Sequence, residues 1–439
     1  MTFKNVISWF EIPILDLRRA QSLTNKFLKC KSLSDMKLFC LILTLFLTTE
    51  SFGQDYTAYK TAWDNLHQFS SITDSTRQRE EIQKWFSSLR DSNQIPFIVV
   101  DSVLFLYEGE ATSVTWVGDF NGWGSDGKFE NHGNKIENTN IWFLKSSFPK
   151  DARLDYKIIL NGAEYILDPE NPHQQWSGVG GGSPNSELRM PLWKEDPALT
   201  PRNDIAHGTL RRDILFNSKI LGYQVMYTIY LPSGVEGIGK LPSIYVTDGY
   251  EYLLPQLGNM ATILDNLIAE KKIKPIAAIF IDQREPVNRS NNKRMQELAM
   301  NKKYLDFFVK ELIPYIERQY PLITDASQRA ILGTSMGGLT STYFAFTRPD
   351  VFGMAGIQSP AFWTKPQIYQ LCIDSATPKM KVSMTSGLIN DTSKESRKVK
   401  DILAASSCEY HYREVNEGHS WGNWRNLIDD ILIDFFALK

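Results

Sequence analysis

The chain has 439 residues, 42% of them hydrophobic, which is enough for more than one core when ordinary domains run to roughly 100–200 residues. Its 48 basic and 50 acidic residues leave a formal net charge of −2, and no Lys/Arg cluster stands out. No long-range field gathers a polyanion, so nucleic acid is not an expected partner.

In chain order, the first signal is internal. From Met36, "MKLFCLILTLFLTTESFGQD" has a lysine, an apolar run from Leu38 to Leu47 and small residues at Ser51 and Gly53. This is the build of a secretory leader, and the run is about half of the roughly 20 apolar residues that a membrane span needs. The expectation is therefore a leader over 36–53, a mature chain from Gln54 with no membrane anchor, and a periplasmic or extracellular location. Residues 1–35 would then lie upstream of the true start. Cys30 and Cys40 precede the expected cut and leave Cys372 and Cys408, which read as small buried side chains although an oxidising compartment would let them pair. No cysteine pattern resembles a metal motif, and no cofactor is expected.

Over 54–94, Tyr59, Trp63, Leu66 and Phe69, then Ile82, Trp85, Phe86 and Leu89, recur at helical spacing, with "STRQ" from Ser75 as a capping box. A helical hairpin is expected. From 95 to 193 short β-rich runs such as "VLFLYEG" and "LDYKIIL", broken by Gly, Asn and Pro, predict a small β-sandwich. After a linker over 194–209, strand-like runs ("YQVMYTIYLP", "PSIYVTDG", "IAAIFID", "RAILGTS", "GMAGIQS", "KVSMTSG", "YHYREV") alternate with helical segments to the end. That alternation over 210–439 predicts an α/β domain with a mostly parallel sheet covered on both faces.

Within this domain, "GTSMG" from Gly333 to Gly337 stands between an apolar strand and a helix. Small residues two positions either side of Ser335 suit a nucleophile elbow, where the strand turns so sharply that larger side chains collide. A turn serine is the plainer reading, and a serine hydroxyl needs a base and an acid before it can attack. Among six histidines, His419 follows the last strand in "NEGHSWGNW", whereas His411 lies inside "YHYREV". In α/β-hydrolases the acid falls between serine and histidine in the chain. The loop "LINDTSKESRK" offers Asp391 first and Glu395 second. Oxyanion donors are expected from the backbone N–H groups of Met336 and Tyr250.

The chain resembles the enterochelin esterase family and related exported carbohydrate esterases, among them feruloyl and acetyl-xylan esterases. The resemblance rests on "AHGTLRRDILFNSKILG", "YVTDGYEYL", "FIDQREPVNRSNNKRMQEL", "ELIPYIERQYPL", "GTSMGGLTSTYFAFTRPDVFG" and "EGHSWGNWRNLI". It implies an α/β-hydrolase fold, with Ser335 as nucleophile, Asp391 as acid and His419 as base; "GLINDT" departs from the Gly-Thr-Glu-Asp form of close relatives. Upstream, "VGDFNGW" and "LDYKIILNGAEYILDPENP" look like an isoamylase-N or glycogen-binding immunoglobulin-like domain. There Trp123 matches a sugar-contacting position, and the second expected tryptophan is replaced near Tyr165. Trp363, Trp421 and Tyr250 are candidates to stack on a substrate ring, or to pack as lids. Arg294 is a substrate-binding candidate or a structural ion pair with Glu297. The expected substrate is a siderophore trilactone or a phenolic or acetyl ester of a polysaccharide. The rival class is a carbohydrate-binding or scaffolding protein with an inactive hydrolase domain.

Overall fold

In the computed structural model, residues 68–438 are described apart from 70, 127–130, 179–182, 238 and 377–379. The expected leader, residues 1–35 and most of the first expected helix lie outside them. The described residues form two compact units, one from those between 68 and 116 with 131–150 and 158–172, the other from 117–126, 151–157 and those between 173 and 438.

In the first unit, Ile82, Trp85, Phe86 and Leu89 recur at three- and four-residue spacing and put one face of the helix Ser75–Asp91 into a core. Its N-cap is Asp74 rather than Ser75. The Asp74 carboxylate accepts from the N–H groups of Thr76 and Arg77 at 2.8 and 3.0 Å. The same core holds Phe97, Leu104, Leu106, Ile141 and Phe143 from an antiparallel sheet of Phe97–Val99, Ser102–Glu108, Ile141–Ser147 and Asn134–Lys135.

The second unit is built on an eight-stranded sheet. Its strands are β1 (Thr209–Asn217), β2 (Gln224–Leu231), β3 (Ser243–Val246), β4 (Ala277–Asp282), β5 (Arg329–Thr334), β6 (Met354–Gln358), β7 (Lys381–Gly387) and β8 (Glu409–Val415). They lie in the order β1-β2-β4-β3-β5-β6-β7-β8. The pairs β1–β2 and β2–β4 are antiparallel and the rest parallel.

Alternation splits the apolar residues between two cores. Tyr245, Ile279 and Ile331 face Leu339 and Phe344 of the helix Met336–Thr347 and Val399 and Leu403 of Ser393–Ala405. Ile244, Val246, Phe280 and Leu332 face Leu264 and Leu267 of Met260–Ala269 and Ile431 and Leu432 of Ile428–Phe436. This unit also holds antiparallel pairs upstream of β1, with Leu154 opposite Leu188, Asp155 opposite Glu187 and Gln174 opposite Ser186. Among the described residues no helix is long and apolar enough to cross a membrane.

Candidate active site

The carboxyl ends of parallel strands leave their connecting loops on one edge of the sheet, and the candidate residues gather there. Ser335 sits between β5 and the helix Met336–Thr347 with φ 56° and ψ −115°. That backbone conformation is strained for a serine, and its surroundings enforce it. A Cβ on Gly333 would fall 2.4 Å from Thr247 Oγ1, and one on Gly337 2.5 Å from the same atom. The elbow is pinned from the next strand, because the Ser335 N–H donates to the Gln358 carbonyl at 2.9 Å and its own carbonyl accepts from Ala361 N–H at 2.9 Å.

The structure brings Ser335, His419 and Asp391 together. His419 Nε2 lies 3.0 Å from Ser335 Oγ, and His419 Nδ1 lies 2.6 Å from Asp391 Oδ1. An ionised carboxylate can only accept, so Nδ1 carries the proton and Nε2 is left to accept from the serine hydroxyl. The Asp391 side chain is wholly buried. Its second oxygen accepts from Ser359 Oγ at 2.6 Å and from Gly387 N–H at 2.5 Å, with Asn423 Nδ2 at 3.5 Å. Glu395 lies just beyond, in the first turn of Ser393–Ala405, and has no bond to the imidazole. The ring is flanked edge-on by Trp424 at 4.9 Å and by Trp363 at 6.1 Å between centroids.

Met336 and Tyr250 open the helices Met336–Thr347 and Gly249–Leu253, where a first-turn N–H has no intrahelical acceptor. The turn before Tyr250 needs Asp248 in the left-handed region, φ 53°. Arg294 holds it there. Its Nε and Nη2 donate to the two Asp248 oxygens at 2.8 and 2.9 Å, and Nη2 also reaches the Thr334 carbonyl at 3.3 Å. Burial opposes the charge of Arg294, but Asp248 outweighs it and raises the group above its ordinary value.

Two expectations therefore change. Arg294 is a buried strut whose ion partner is Asp248, not Glu297; Glu297 instead accepts from Tyr223 Oη at 2.6 Å and is pushed up to about 8 by its own burial. Trp421 is fully buried, donates to Glu251 at 2.9 Å and packs edge-on against Tyr252, so it cannot stack on a substrate. Trp363 remains available, at 53% exposure, as does Tyr250, whose ring carries Arg284 3.4 Å from its centroid.

Sequence reasoning passed over Ser359, Asn423 and Trp424, which brace the acid and the imidazole. It also passed over a buried charge cluster behind the histidine loop. There burial pushes Asp119 up to about 8, reinforced by the Asp155 charge, and burial pushes Glu417 up to about 7. Cys372 and Cys408 are free and buried. Among the described residues no cluster of His, Cys, Asp or Glu could hold a metal ion.

An eight-stranded sheet in this order, carrying a strained serine elbow and a histidine–carboxylate pair on its carboxyl edge, defines an α/β-hydrolase. Residues 218–435 match the family described as "Putative esterase", and the protein is a carboxylic ester hydrolase. It is 24% identical over 333 residues to the iron(III) salmochelin esterase of Escherichia coli O6:H1, covering 67% of this chain and 78% of that protein. It is 28% identical over 238 residues to an endo-1,4-beta-xylanase/feruloyl esterase of Xylanibacter ruminicola, covering 52% of this chain and 31% of that protein. The enterobactin esterase FES of Shigella flexneri, solved in the presence of enterobactin, shares the fold. Its TM-score is 0.62 at 19% identity, over 76% of this chain and 92% of that one.

Proposed function

We propose that this protein is an exported serine esterase that opens bulky esters of the siderophore trilactone kind through Ser335, His419 and Asp391. The observation that carries the reading is the unbroken hydrogen-bond relay from a buried carboxylate to a serine held in an elbow. In the reaction, His419 Nε2 takes the Ser335 proton as Oγ attacks the ester carbonyl, and Asp391 stabilises the imidazolium that forms. The oxyanion is received by the N–H groups of Met336 and Tyr250. His419 then protonates the departing alkoxide, and water, activated by the same imidazole, releases the acid from Ser335. Trp363 stands beside the imidazole to face an aromatic part of the substrate.

Two observations bear on the substrate. The likeness to the salmochelin esterase runs over 333 residues, so it extends beyond the 218-residue stretch 218–435, which favours a siderophore ester. The second reading, a feruloyl or acetyl ester of a polysaccharide, draws support from the xylanase/feruloyl esterase relative. Export rests on the leader-like stretch from Met36. The test is a parallel hydrolysis screen of enterobactin, feruloylated xylan oligomers and acetylated xylan, with Ser335→Ala as control and a fluorophosphonate as serine probe. Preferred release of the siderophore monomer, abolished by Ser335→Ala with the fold intact, is expected. Undiminished turnover in the folded Ser335→Ala protein would remove this serine from the mechanism, and preference for the xylan esters would select the second reading.

A further inference from the structure

The reading above requires His419 to face two partners at once, yet only five residues, 416–420, separate β8 from the next helix Trp421–Arg425. Such a loop has few internal bonds with which to fix a ring. Besides Asn423, whose Nδ2 donates to the Gly418 carbonyl at 2.8 Å, what fixes it comes from the stretches 117–126 and 151–157, far upstream but part of the same compact unit. The Arg153 N–H donates to the Asn416 carbonyl at 3.2 Å, and Arg153 bridges Glu417 in parallel fashion. The guanidinium has no solvent exposure, and its Nη1 donates to Oγ of Ser420, the residue after the histidine, at 2.9 Å. Its other nitrogens go to Glu187, from Nε at 2.5 Å, and to Asp155, from Nη2.

Close packing completes the grip. A Cβ on Gly422 would fall 1.9 Å from Arg153 Cζ, and one on Gly418 would fall 2.2 Å from Asp119 Cγ. The acid loop is held by the same segment, since Asn390 Nδ2, adjacent in sequence to Asp391, donates to the Asp119 carbonyl at 2.8 Å. The histidine loop is thus met at 416, 417, 418 and 420, the helix after it at 422, and the acid loop at 390.

We infer that Arg153 is a positioning residue for His419, and that the upstream 117–126 and 151–157 stretches set the geometry between imidazole and carboxylate. The inference rests on the esterase reading of the site. Only arginine suits the position, because its planar fork reaches Asp155, Glu187 and Ser420 in three fixed directions, whereas a lysine ammonium is a single point of charge. Burial opposes the Arg153 charge, but Asp155, Glu187 and Glu417 outweigh it and keep the group protonated. A buried ion cluster of this kind is weak evidence for stability alone, since apolar replacements often do as well. Its direct hydrogen bond to the residue beside the catalytic imidazole points to alignment.

The test uses the full chain with Ser420→Ala, which removes only the link from guanidinium to loop, beside Arg153→Lys and Arg153→Met. Turnover of an activated aryl ester is divided by the number of sites that react with a fluorophosphonate, and the downfield proton signal of the His419 Nδ1–H is followed by NMR, identified by its loss in His419→Gln. Ser420→Ala is expected to fold normally, to lose about 10- to 100-fold in kcat per reactive site with KM within about twofold, and to broaden the imidazole signal, in keeping with what small misplacements cost. Arg153→Lys should fall between wild type and Arg153→Met. If Arg153→Met does not fold, Ser420→Ala decides. Wild-type kcat per reactive site and a sharp signal in Ser420→Ala would overturn the inference. Failure of the wild-type chain to turn over any ester would instead sink the esterase reading, and the NMR comparison would still decide the positioning.

Discussion

Replacing Arg294 by methionine separates two roles that its position near the elbow would allow. Its guanidinium and the Asp248 carboxylate are 11% and 4% exposed and form a two-point pair, so the substitution strands a buried carboxylate. Breaking such a pair from one side typically costs about 3–5 kcal/mol. At roughly 2–4 °C per kcal/mol for a unit of this size, Tm should fall by roughly 6–20 °C. The left-handed turn at Asp248 also aims the Tyr250 N–H, and an oxyanion donor is worth on the order of 10²–10³ in kcat, so a loosened donor should cost about 10- to 100-fold. Thermal unfolding by circular dichroism and steady-state kinetics on an aryl ester, below the new Tm, read both effects. A KM raised tenfold with kcat and Tm unchanged would refute the strut and make Arg294 a substrate clamp.

Asp391→Asn should lower kcat by about 10⁴ while Glu395→Gln leaves it near wild type, because of the two carboxylates Asp391 is the one that bonds the imidazole; rates of the two purified variants on one ester check this. Trp363→Ala should raise KM for aromatic esters by roughly 2- to 10-fold and leave acetyl esters unchanged, whereas Trp421→Phe should lower Tm without touching KM, since one ring is exposed and the other buried. Asp119 and Glu417 have folded pKa values raised to about 8 and about 7, so the folded state binds protons that the unfolded chain has released, and stability falls as pH rises from about 4 through about 8. Urea midpoints across that range should show the decline, and Asp119→Asn should flatten it; an unchanged slope in the variant would assign the pH dependence to other groups.

The elbow was legible because its pattern is local. Gly333, Ser335 and Gly337 fall within five residues between an apolar strand and a helix, although the atom nearest to an added side chain at either glycine, Thr247 Oγ1, comes from a segment remote in sequence. The order of strands and helices was legible for the same reason, since alternation and 3.6-residue spacing are properties of short windows. The helix start was not, because Asp74 and Ser75 both suit an N-cap and only backbone geometry selects between them. The acid lies between these cases. Its loop follows from chain order, but the choice of Asp391 over Glu395 depends on Gly387, four residues back, and on Ser359, 32 residues back.

What sequence could not show is set by pairs that meet across the fold. Trp421 looked like a mouth residue because it adjoins His419, yet its indole is claimed by Glu251, 170 residues away. Arg294 has Glu297 within one helical turn, but a carboxylate 46 residues upstream offers two oxygens to the guanidinium fork, and two parallel bonds outweigh proximity in the chain. The span from Arg153 to Ser420 is 267 residues. Closing a loop of that size costs entropy that grows only slowly with length, so a remote partner is little more expensive than a near one once the strands between have paired. A buried charge therefore goes to whichever partner satisfies most of its hydrogen bonds. In this chain that logic ties Arg294 to the turn before Tyr250 and Arg153 to the loop that carries the imidazole.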